Sequence, residues 1–157
     1  MKIANLSLEI IENGYIPPDK NTILISITDI GYNANIKEIN YVDIYRFQFE
    51  DIEQEEVDAK FTQNELIPNW ATLISDKQAY KISEILLNNL FKNNIIVHCS
   101  AGVSRSGAVT EAALKIGYGL YDFSNLRTIN KTVFNKIYEN FLLSDKINGF
   151  FLKKFWN

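Results

Sequence analysis

A helix pattern, a short β-branched run and a second helix pattern follow one another without a break across residues 75–116. That succession constrains the fold most. Ser75-Asp76-Lys77-Gln78 fits a capping box, with Ser at the N-cap and Gln three residues later. Behind it Ile82, Ile85, Leu86, Leu90 and Phe91 recur at helical spacing. The spacing predicts an amphipathic helix, packed on a sheet and ending near Asn93-Asn94. Ile95-Ile96-Val97 then reads as a central strand. Helix formers occupy residues 105–116, and Gly117 is placed as a C-cap.

The rest of the chain supplies compatible pieces. Residues 3–11 alternate apolar and polar side chains, and Pro17-Pro18 closes that stretch with a turn. Residues 22–28 form a β-branched apolar run, read as a buried strand, and 29–35 have loop composition. Residues 41–49 read as another strand, and 50–58 as an acidic loop or helix start. An irregular excursion is expected over 61–72, a helix over 130–143, and a last helix over 145–156. Strands alternating with helices predict an α/β fold. The expectation is one domain over residues 1–157, with a central, mainly parallel sheet of four to five strands and helices on both faces.

Composition removes several function classes. With 16 Lys+Arg against 19 Asp+Glu the formal charge is −3, the wrong balance for a general nucleic-acid binder. A single Cys excludes a disulfide framework and a Cys-rich zinc site, and a single His excludes a His-cluster metal site. No cofactor is expected. No charge-free apolar run reaches the length of a membrane span, and the start leads into Glu9 and Glu12 rather than a leader's apolar core. A cytoplasmic, reducing setting is expected, in which Cys99 stays a thiol. The chain is also rich in Ile, Asn and Lys, as AT-rich coding would make it, so its Asn residues carry little functional weight at this level.

The informative segment is Val97-His98-Cys99-Ser100-Ala101-Gly102-Val103-Ser104-Arg105-Ser106-Gly107. A buried strand ends at Cys99, a loop of small residues follows, and Arg105 and Ser106 open a helix. A helix N-terminus after a tight loop offers unpaired N–H groups and the positive end of a dipole, which together attract anions. Small residues let the backbone of Ser100, Ala101, Gly102, Val103 and Ser104 wrap closely around a tetrahedral oxyanion, and Gly102 supplies a backbone angle other residues resist. Arg105 brings a planar fork that matches two phosphate oxygens. The same positive potential favours a thiolate at Cys99, and a thiolate facing phosphate suits nucleophilic phosphoryl transfer. Strand alternation turns His98 away from Cys99, so it is expected to orient the loop by hydrogen bonding rather than act as a base.

These residues resemble the signature of cysteine-based protein phosphatases: His98-Cys99, five residues, then Arg105-Ser106. Cys-Ser-Ala-Gly-Val-Ser-Arg-Ser is similar to the compact dual-specificity and protein-tyrosine phosphatases, including short bacterial and phage members. The likeness extends over about residues 22–143 and includes Asn130-Lys131-Thr132-Val133-Phe134, which resembles the family's late helix start. It implies Cys99 as nucleophile, Arg105 as phosphate clamp, and the backbone from Ser100 to Arg105 as cradle. Ser106 would help the Cys leave in the second step. The family also uses a general acid on an upstream loop. Asp51 is the candidate, with Glu50, Glu53 and Asp58 as rivals. Its separation from the Cys is 99 − 51 = 48 residues, longer than in most compact members, and an excursion around 62–70 could form a lid.

The expected function is hydrolysis of phosphotyrosine, with phosphoserine and phosphothreonine as further substrates, on a phosphorylated protein partner. No metal, membrane or nucleic-acid partner is expected. Two other readings use the same loop: a phosphoprotein-binding module without effective turnover, and an RNA 5′-phosphatase. The first is separated by the acid, the second by the net charge of −3 and the lack of a basic stripe.

Overall fold

The structure is a computed structural model and describes residues 1–63 and 72–144. Most of the excursion expected over 61–72, with its lid, and the helix expected over 145–156 lie outside the described residues. Five strands, β1 (Lys2–Ser7), β2 (Thr22–Thr28), β3 (Asp43–Gln48), β4 (Asn94–Cys99) and β5 (Gly119–Leu120), alternate with helices α1 (Leu8–Glu12), α2 (Gln54–Thr62), α3 (Asp76–Asn89), α4 (Arg105–Lys115) and α5 (Lys131–Leu142). The strands form one sheet in the order β3-β2-β4-β1-β5, and every pairing is parallel.

Strand alternation sorts the core into two layers. Ile3, Ile25, Ile27, Ile95 and Val97 face Ala79, Ile82 and Leu86 of α3, Ala108 and Val109 of α4, and Val133, Ile137 and Phe141 of α5. Ala4, Leu6, Leu24 and Ile96 face the other way, onto Ile11 of α1 and onto Ala34 and Ile36. Register explains the sorting, because Ile3 and Ile23 both pair with Ile95, one residue before Ala4 and Leu24 pair with Ile96. Helices therefore cover both faces unequally, three long ones on one side and a short one with loop on the other. Strands buried on both faces become continuous apolar runs, as in fully buried β2 and β4.

Several elements follow their local chemistry. The capping box is complete: the Ser75 hydroxyl accepts from the Gln78 N–H while the Gln78 side chain accepts from the Ser75 N–H. Gly117, just past α4, has φ 111°, a conformation that favours glycine. The acidic stretch becomes α2, with no buried residue and Glu55 and Glu56 in its first turn, so Phe61 and Thr62 are helical rather than irregular.

Other boundaries move. Residues 3–11 split, because the Ser7 side chain accepts from the Ile10 N–H and caps α1. The helix α3 stops at Asn89 rather than near Asn93-Asn94. Asn94 opens β4 instead, where its side chain accepts from the Lys2 N–H and donates to Asp19. β5 has two residues, too few to carry a pattern.

The chain order through this sheet creates a cleft. β1 and β4 are neighbours. From β1 the chain leaves through α1, on one face, toward β2; from β4 it leaves through α4, on the other face, toward β5. Where adjacent parallel strands send their connections in opposite directions, a crevice opens beyond their carboxyl ends, the usual ligand position in open α/β sheets. Ser7 and Cys99 are the paired residues at that edge.

Candidate active site

The loop that follows β4 lies in this crevice and is braced from outside. The Ser100 carbonyl accepts from the Leu8 N–H at 3.2 Å. The Gly102 carbonyl accepts from the Asn5 side-chain amide at 2.8 Å, and the Ser104 carbonyl from the Asn130 N–H at 3.2 Å. Every second carbonyl is thus held by a different element. Among the described residues, no backbone N–H of residues 100–104 is a donor in these loop hydrogen bonds, which leaves the donors for an anion. Gly102 adopts φ 73°, and a Cβ there would stand 2.4 Å from the backbone of Leu6 and Ser7. Only glycine fits both the angle and the close approach of β1.

Arg105 is 2% exposed and turns its two edges to different tasks. Nη1 donates to the Phe49 carbonyl at 2.6 Å and pairs with Asp29 Oδ1 at 2.7 Å. Nη2 donates to the Ser100 hydroxyl at 2.9 Å. Nε lies on the same edge as Nη2 and is buried without a partner among the described residues. That edge therefore faces the loop with an unsatisfied donor, the geometry for a bidentate oxyanion. Cys99 is buried at the loop's base, its Sγ 3.1 Å from the Ser106 Oγ. Ser106 is itself buried in the first turn of α4.

Asp51 reaches the loop. Its Oδ1 accepts from the Ser104 hydroxyl at 2.7 Å and from the Asn130 side-chain amide at 3.0 Å. The rivals face elsewhere. Glu50 accepts from the Ile30 N–H, Glu53 from the Lys131 N–H, and Asp58 from the Gln54 side chain. Of the four carboxylates named from sequence, Asp51 alone touches the loop.

His98 is fully buried on the face opposite Cys99, as alternation requires, and its Nε2 meets the Ser26 hydroxyl of β2 at 2.7 Å. It braces the strand that carries Cys99. Burial pushes its pKa down to about 4, so the ring is neutral at neutral pH. The unfolded chain, at the ordinary value near 6.5, takes up this proton first. Stability is therefore intact above about pH 6.5 and falls as the pH drops toward 4, by on the order of 3 kcal/mol. Urea midpoints at pH 7 and pH 4.5 test this. His98→Gln should lose less stability across that interval than the native chain, and an equal loss would remove His98 as the source.

Two contributors, and the contacts of a third already placed at a helix start, escaped the sequence. Asp29, at the end of β2, balances the Arg105 guanidinium. Asn5 is 2% exposed and ties Gly102 to Asn125, donating to both carbonyls and accepting from the Asn125 N–H. Asn130 is the N-cap of α5 and spans Asp51 and Ser104. The Asn-rich composition hid Asn5 and the reach of Asn130 beyond its helix. The available local signals were an Asn inside an otherwise apolar strand run and an Asn directly before a helix.

Among the described residues no cluster of three or more His, Cys, Asp or Glu could hold a metal ion, and no helix is long and apolar enough to cross a membrane. Compared with known proteins, the chain matches no family model, no curated protein and no solved structure.

Proposed function

We propose that this chain is a metal-independent phosphomonoesterase of the dual-specificity protein phosphatase type, acting on phosphotyrosine in proteins. The observation that supports it best is the braced loop itself. Cys99 lies at its base, Arg105 turns an unpaired Nε–H toward it, and Asp51 sits at its rim. The phosphate is held by the loop N–H groups and by the Nε–Nη2 edge of Arg105. The Cys99 thiolate attacks phosphorus, the P–O bond to the leaving oxygen breaks, and Asp51 donates its proton to that oxygen. Water then attacks the cysteinyl phosphate, Asp51 takes the water's proton, and the S–P bond breaks. Ser106, hydrogen-bonded to Sγ, stabilises the departing thiolate. The chemistry needs a reduced Cys99, which a reducing cytoplasm provides.

A substrate comparison tests the reading. A phosphotyrosine peptide should be hydrolysed with no effect of a chelator and with inhibition by vanadate. Phosphoserine peptide and an RNA 5′-triphosphate should be turned over more slowly. Preference for the RNA, tight peptide binding without turnover, or strict dependence on a divalent metal would each overturn it.

A further inference from the structure

We infer that Asn130 is a positioning residue that decides which oxygen of Asp51 carries the proton. The inference rests on the phosphatase reading and extends it to a residue outside the loop. Asn130 is 2% exposed and uses its whole amide. Its Oδ1 accepts from the Val133 N–H at 3.0 Å, which caps α5. A backbone N–H can only donate, so this contact settles which end of the amide is oxygen. The Nδ2 group then points its two hydrogens at Asp51 Oδ1, 3.0 Å away, and at the Ile52 carbonyl, 3.2 Å away.

Asp51 Oδ1 therefore meets two donors, Asn130 Nδ2 and Ser104 Oγ. An oxygen that accepts two hydrogen bonds is a poor place for a proton. The acidic proton is left to Oδ2, which makes no hydrogen bond among the described residues. In the first chemical step Oδ2 gives this proton to the leaving oxygen. In the second, the same oxygen receives the proton of the attacking water, so the cycle balances. Asn130 also donates its own N–H to the Ser104 carbonyl. One buried residue thus fixes the acid and the phosphate loop in a common frame, from the end of a helix 79 residues away from Asp51 in sequence.

The test separates positioning from mere folding. Asn130→Ser keeps a good N-cap but cannot span to Asp51. Native chain, Asn130→Ser, Asp51→Asn and the double variant are assayed against pH with phosphotyrosine and with an activated aryl phosphate. Asn130→Ser should lose roughly tenfold to a hundredfold on phosphotyrosine and far less on the activated ester. In the double variant it should add nothing to the loss from Asp51→Asn. Should Asn130→Ser melt early, Asn130→Asp retains the cap and places a like charge beside Asp51. The basic limb of its profile should then move to higher pH. Equal losses on both substrates, additivity with Asp51→Asn, or an unmoved basic limb in Asn130→Asp would overturn the positioning role while the phosphatase reading stands. Equal losses on both substrates in Asp51→Asn itself would remove Asp51 as the acid, and the inference with it.

Discussion

Cys99→Ser should abolish turnover and leave phosphate binding in place. In the proposed reading the phosphate is held by loop N–H groups and by Arg105, and none of the contacts that brace the loop uses Sγ. Among the described residues the single polar contact of Sγ is with Ser106 Oγ at 3.1 Å, on the helix side, and a serine hydroxyl can make the same hydrogen bond. The substitution therefore preserves the cradle. A hydroxyl in this position has no adjacent base to ionise it, because His98 lies on the opposite face against Ser26. Steady-state assays should find no activity above background, and titration calorimetry with vanadate or phosphate should find binding close to the native chain's. Substantial residual turnover would exclude a cysteinyl-phosphate intermediate.

The second large effect belongs to Asp51. Asp51→Asn can keep both hydrogen bonds at Oδ1, since an amide oxygen accepts from Ser104 and Asn130 as a carboxylate does. What it loses is the proton. The rate on phosphotyrosine should fall by roughly 10²–10⁴-fold, the usual contribution of a placed general acid. An activated aryl phosphate, whose leaving oxygen needs little protonation, should lose far less. The native profile should be bell-shaped, with Cys99 required as thiolate and Asp51 as acid in the same step. Its basic limb reports loss of the proton from the acid and should flatten in Asp51→Asn. If both substrates suffer equally and the basic limb persists, another carboxylate is the acid. Asp29 is then the first to try, because it reaches Arg105 while Glu50, Glu53 and Asp58 are bound away from the loop.

The fit between sequence and structure is closest where a feature is written within a few residues. The capping box at Ser75, the β-branched run of β4, the glycine after α4 and the small-residue loop from Cys99 to Arg105 each depend on neighbours in the chain. Their physics is local: a cap saturates the nearest N–H groups, and a β-branched run resists helix. The same period-two rule placed His98 on the face away from Cys99, though not against which strand. The α/β class followed from the order of such pieces, Cys99 and Arg105 from the loop between them, and Asp51 only from the resemblance, which implies an acid on an upstream loop.

What the tertiary structure alone decided is adjacency. Nothing local says that β1 inserts beside β4, yet that pairing brings Asn5 to Gly102, 97 residues away, and makes glycine obligatory there. Nor does a local pattern say that Asp29 neutralises Arg105, or that the cap of α5 grips Asp51. Strand order is set by which arrangement buries the most apolar surface on both faces of the sheet at once, a property of the whole chain. Single polar contacts made across that arrangement leave no periodic trace in the sequence. Cys99 and its loop were legible because one strand, one turn and one helix contain them. The frame that holds Asp51 and the Arg105 guanidinium was not, because its parts come from segments far apart in the chain that meet only when the sheet has formed.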